Sequence, residues 1–135
     1  MLETLMQKFA DEMEMDKELF STTTVGTYQV VIDGNTKLKI METNPGFWME
    51  CLIAPCPSKN QEFFYTDALL GNLFGQGTYG ATVGLSEDGV SVILTRHVTQ
   101  DVTYKGFRNI LEDFFNAIDF WREEIRSAEK GTLRV

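Results

Sequence analysis

Histidine occurs once in this 135-residue sequence, cysteine twice and proline three times, and each scarcity removes a class of chemistry. Two thiols, Cys51 and Cys56, are too few for a disulfide scaffold. Their C-x4-C spacing, without a second pair, is not a zinc signature either. The one histidine, His97, lies in a predicted strand with no ligand cluster or catalytic partner near it in sequence. No apolar run approaches the roughly 20 residues of a membrane span, and Met1-Leu2-Glu3-Thr4 does not read as a secretory leader. Basic charge is also short: 12 Lys and Arg stand against 20 Asp and Glu, for a net charge of −8 and a pI of about 4.6. Nucleic acid and anionic membranes make poor partners, because phosphate binding needs a basic face. A basic polypeptide segment suits such a surface better, or the acid serves solubility alone. A reduced, cytoplasmic protein is the expectation.

What is present is apolar side chains in regular patterns, 43% of the residues, enough for a core in a chain of one-domain size. Phe107, Ile110, Leu111, Phe114, Phe115, Ile118, Trp121 and Ile125 recur at steps of three and four, which predicts an amphipathic helix. Leu2, Leu5, Met6, Phe9 and Met13 predict a first helix, from Leu2 to about Lys17, with an acidic outer side. Between them, Val25 to Asp33, Lys37 to Thr43 and Phe47 to Ala54 alternate as strands, joined at Asp33-Gly34-Asn35 and Asn44-Pro45-Gly46. Gln61 to Phe74 predicts a helix whose apolar residues go nearly all the way round, so it needs cover on two sides. A second copy of the chain is one such cover. Tyr79 to Leu85 and Val90 to Val98 predict two more strands, and Ser127 to Val135 a frayed tail. The expected order is α-β-β-β-α-β-β-α, a single α+β domain over residues 1–135 with an antiparallel sheet packed on helices.

Catalytic signatures are missing. Gly75-Gln76-Gly77-Thr78-Tyr79-Gly80 has the spacing of a dinucleotide fingerprint, but it follows a helix and opens a strand, which reverses the required geometry. The glycines read as helix termination and turn. Adjacent carboxylates such as Glu112-Asp113 point apart on a helix. Neither cofactor nor metal is expected. If Tyr28, Val30, Ile32, Leu38, Ile40 and the Phe47 register face the helices, then Val31, Met41, Trp48 and Leu52 face outward. An apolar group on one sheet face beside an edge strand marks a peptide-binding site, or else a face covered by a helix or subunit. Function on this reading is adhesion, not catalysis.

Three stretches carry a likeness. They are Ala68-Leu69-Leu70-Gly71-Asn72-Leu73-Phe74, then Gly80-Ala81-Thr82-Val83-Gly84-Leu85 with the Asp88-Gly89 hairpin, then Phe107, Leu111, Glu112, Phe114 and Trp121-Arg122. In order and spacing they resemble the class I type III secretion chaperones, the Tir chaperone family, from about Leu2 to Glu124. Leu19-Phe20-Ser21 replaces the Leu-Pro pair of many members. The resemblance implies a homodimer in the bacterial cytoplasm, without enzymatic activity, that binds the N-terminal segment of one or more effectors in extended form. It also implies hand-over to a secretion-system ATPase or sorting component. It assigns Leu69, Leu70, Leu73, Phe74, Val92 and Leu94 to a dimer interface, and Leu5, Phe9, Val31, Met41, Trp48 and Leu52 to effector binding. Two other readings stand beside it: a small α+β dimerisation or regulatory subunit without a secreted client, and a small-molecule-binding domain or enzyme.

Overall fold

Alternating apolar side chains build the sheet in the computed structural model, which describes residues 1–14, 20–34, 36–74 and 80–131, without the side chains of 20–23, 73 and 74. Along the chain come α1 (Leu2–Glu12), β1 (Phe20–Thr24), β2 (Thr27–Asp33), β3 (Thr36–Glu42) and β4 (Phe47–Pro55). Then follow α2 (Gln61–Phe74), β5 (Thr82–Leu85), β6 (Ser91–Val98) and α3 (Tyr104–Lys130). The α+β class is as expected. The order gains one strand, β1, whose Phe-Ser-Thr-Thr-Thr sequence has no apolar alternation but is rich in β-branched threonine. Six strands run in the order β1-β2-β3-β4-β6-β5, with antiparallel pairing at β1–β2, β2–β3, β3–β4 and β5–β6.

Two compact units divide the chain. One is Met1–Cys51 with Arg96–Glu112, the other Leu52–Thr95 with Asp113–Val135. In the first, Phe107 is the hub of the core: Phe9 of α1 meets its ring edge-on at 6.4 Å and Phe47 of β4 at 5.3 Å. Tyr28, Val30, Leu38, Ile40, Met49 and Cys51 are buried there, as the alternation predicts. Ile32 is only half-buried, because the β2–β3 register shifts between Val31 and Asp33 and breaks the alternation. Helix α1 is shorter than expected. Met13 donates to Phe9 O and Glu14 takes a left-handed φ of 50°, which cannot continue the helix. Residues 15–17 of the expected helix lie outside the described residues.

In the second unit, Trp121 is fully buried, and Phe64 of α2 meets it at 6.1 Å, nearly perpendicular. The predicted frayed tail is corrected over 127–130, where α3 continues to Lys130. Ala128 is buried, its carbonyl accepts from Asn60 Nδ2 at 2.9 Å, and the Glu129 carboxylate accepts from Ser58 Oγ at 3.0 Å and from Ser58 N. Residues 132–135 lie outside the described residues. The start of α3 is set by Thr103, whose Oγ1 accepts from the Gly106 amide at 3.2 Å.

Candidate binding surface

Strand register assembles the outward face of the first unit. Met41 lies opposite Thr27 on one side and opposite Trp48 on the other. The Trp48 indole meets the exposed His97 ring edge-on, with centroids 5.7 Å apart. One row along, Gln29, Lys39 and Glu50 are neighbours, and Lys39 Nζ sits 3.5 Å from the Glu50 carboxylate. Val31 faces Lys37 across the β2–β3 pair. Val31, Met41 and Trp48 are all half-buried. A polarizable thioether, an indole and an imidazole in one row can cradle an apolar or aromatic side chain. The neighbouring ion pair, exposed on both partners, adds little energy by itself and offers polar contacts for register. Leu52, in the second unit, is 51% exposed, in line with its outward parity.

Two expected contact residues are corrected. Leu5 and Phe9 are each only 6% exposed, because α1 turns Leu2, Leu5, Met6 and Phe9 inward as one stripe. They hold α1 in place and have almost no surface left for a client. The outer side of α1 carries Glu3, Asp11 and Glu12, and Glu12 is tied down. Its carboxylate accepts from the Tyr104 hydroxyl and from Arg108 Nη1 at 2.6 Å. These bonds, the phenol's first, hold the Glu12 carboxyl below its ordinary range, while burial and that same carboxylate push Tyr104 up to about 12.

On the second unit α2 carries the most exposed leucines. Leu69 and Leu70 are 70% and 57% exposed, while Phe64 and Ala68 on the opposite side of the helix are buried. The side chains of Leu73 and Phe74 lie outside the described residues, as does the 75–79 segment of the glycine motif. Val92 and Leu94 are corrected: both are fully buried, since β6 turns them to the core on the same side as Val83, the β5 partner of Leu94. Phe63, Leu85 and Val90, each at least half exposed, were not picked out from the sequence. Phe63 carried a legible signal, being part of the all-round apolar wheel of α2. For Leu85 and Val90, beside the Ser86–Gly89 turn, the alternation gave none.

A groove of about 430 Å³ lies between the end of β4 and α3, with an apolar floor of Ile53, Pro55 and Ile125 and a rim of Arg122, Arg126 and Glu129. Arg122 Nε donates to Ile53 O at 2.8 Å. Beside it, burial and then Asp88 push the Cys56 thiol up, away from a reactive thiolate. Among the described residues no group of three or more His, Cys, Asp or Glu is placed to hold a metal, and no helix is long and apolar enough to cross a membrane.

The model of the Tir chaperone protein (CesT) family matches residues 4–122. The chain belongs to the Tir chaperone family. A Chlamydia pneumoniae protein named only by locus is 30% identical over 127 residues, spanning 93% of this chain and 96% of that one. Among solved structures, the HopA1–SchA chaperone–effector complex is similar at a TM-score of 0.67 and 18% identity, over 90% of this chain and 93% of the other. The Yersinia pestis type III secretion chaperone SycH, solved with a fragment of YscM2, is similar at 0.63 and 17%, over 85% and 94%. YbjN of E. coli, proposed as a transcription regulator, is similar at 0.63 and 18%, over 94% and 92%. Identities this low speak to fold, and the fold is that of the secretion chaperones. Family membership carries the function: this is a type III secretion chaperone.

Proposed function

We propose that this Tir-family chaperone captures the N-terminal segment of one or more effector proteins in extended form on the outward sheet face that carries Val31, Met41 and Trp48, with Leu52 as a further contact. The observation that carries the reading is the Met41–Trp48–His97 row, apolar side chains left partly uncovered by the chain's own core. The HopA1–SchA structure is of a chaperone with its effector, which supports an effector as the occupant. The protein acts in the bacterial cytoplasm as a homodimer through Leu69 and Leu70 of α2, with Leu73 and Phe74 following on the same helix, and passes its client to the secretion ATPase or its sorting components. It has no catalytic activity of its own.

Affinity purification of the tagged chain from its native bacterium tests this. A co-purified protein whose N-terminal region resists protease, and which is lost with Trp48→Asp, is the expected result. A bound small molecule with no protein partner would favour a ligand-binding domain instead. A dimer without any client would leave the regulatory-subunit reading.

A further inference from the structure

The exposed apolar side of α2 ends in a stretch that is poorly suited to hold it in place. Phe63, Leu69 and Leu70 are 59%, 70% and 57% exposed, while Phe64 and Ala68 are buried. Directly after the leucines come Gly71 and Asn72, both weaker helix formers than alanine or leucine. Local propensity alone therefore leaves the last turn of α2 loose. A surface that binds another protein gains from being rigid before contact, because ordering it on binding costs free energy.

One side chain supplies the rigidity. Asn72 Nδ2 donates to Val83 O at 2.8 Å, and Asn72 Oδ1 accepts from Val83 N at 2.8 Å. A carboxamide has one donor side and one acceptor side, and both are used on a single residue of β5. One bond would leave the helix free to roll about its axis, whereas two bonds to one residue close a ring that resists rolling. Val83 is itself fixed, since its side chain is buried and it pairs with the buried Leu94 of β6. Position on the helix matters as well. Asn72 lies about 40° from Ala68 and, on its other side, about 60° from Leu69 around the helix axis. It stands on the border between the buried and the exposed side of α2. A clamp there sets the roll of the helix, and with it the direction in which Leu69 and Leu70 face.

We infer that Asn72 is a positioning residue for the contact between two copies of the chain: its two bonds to Val83 fix the roll of α2, so that Leu69 and Leu70 meet the second copy already aligned. The inference rests on the α2 dimer proposed above and adds to it a residue that acts without having to touch the second copy.

The test compares Asn72→Ala in the full chain with the wild type and with the Leu69→Asp, Leu70→Asp double variant. Alanine removes both bonds and is the better helix former, so a loss cannot come from helix propensity. Sedimentation over a range of concentrations gives the dimer dissociation constant, and amide exchange at Val83 reports on the bonds. The expected result is faster exchange at Val83 and a dimer weaker by about five- to tenfold, with far-UV circular dichroism unchanged. Adding Asn72→Ala to the double variant measures its cost in a chain that has no partner contact to lose. A merely structural asparagine would lower the urea midpoint there and leave the dimer constant of the single variant at the wild-type value, which overturns the inference. If the double variant stays dimeric, the α2 reading fails and the inference falls with it. A dimer lost in the double variant but unweakened by Asn72→Ala sinks the inference alone. Should Asn72→Ala fail to fold, Asn72→Asp decides, since it keeps the acceptor for Val83 N and loses the donor. Its dimer is expected to be weaker by about two- to fivefold, and a wild-type constant overturns the inference.

Discussion

At Glu12 two donors from α3, the Tyr104 hydroxyl and the Arg108 guanidinium, converge on one carboxylate at the end of α1. The sign of its pH effect follows from the direction of its shift. The folded-state carboxyl titrates below its ordinary value of 4.5, mainly through the Tyr104 bond and then through Arg108. The unfolded chain therefore takes up this proton at higher pH than the folded one. Stability from the contact is full above the ordinary value and is lost as pH falls through the lowered one. Tyr104 acts at the other end of the scale. Its value is raised to about 12 by burial and by Glu12, so its share is full below the ordinary phenol value of 10 and is lost as pH rises through the raised one. Glu12→Gln is expected to unfold at lower urea than wild type at neutral pH, with the gap closing as pH falls below the ordinary carboxylate range. Urea titrations of both proteins at several pH values check this, and a gap unchanged at low pH would contradict it.

Among the elements, α1 shows how burial decides role. Phe9 was assigned to client contact from the sequence, yet it lies edge-on to Phe107 and is almost wholly covered. Phe9→Ala is therefore expected to cost about 3–5 kcal/mol of stability. Denaturant titration measures that cost, and client capture by the folded fraction should stay close to wild type. The period-3.6 pattern located the buried stripe of α1, as it did for α3, and the period-2 pattern located Tyr28, Val30, Leu38 and Ile40 on the core side. Neither pattern says whether a buried side chain meets its own chain or another. That is why Leu5, Phe9, Val92 and Leu94 were misplaced while the outward parity of Val31, Met41, Trp48 and Leu52 was legible. Strand β1 escaped because threonine carries β-propensity without hydrophobic contrast. The end of α1 escaped because a left-handed Glu14 has no sequence signature of the kind glycine provides. The Asn72–Val83 pair, in which the carboxamide bonds both backbone groups of Val83, escaped for a third reason: such a contact is visible only once both partners are placed.

For the molecule as a whole, the chain leaves apolar area uncovered in two separate places, the Met41–Trp48 row of one unit and the Leu69–Leu70 face of α2 in the other. A chain of net charge −8 gains nothing from such area unless something shelters it. If one place takes a client and the other a second copy, charge introduced at each should fail differently. Trp48→Asp puts a carboxylate on a half-buried sheet position, so capture should fall at least about tenfold while the mass in solution stays that of a dimer. Leu69→Asp with Leu70→Asp puts two carboxylates into the proposed α2–α2 contact, where burying them unpaired is costly. Light scattering should then give the mass of one chain, with far-UV circular dichroism unchanged because both leucines are exposed in the single chain. A monomer produced by Trp48→Asp would mean that the sheet face, and not α2, joins the two copies. Capture unaffected by Trp48→Asp but abolished by the α2 double variant would put the client on the helix, and the roles of the two surfaces would have to be exchanged.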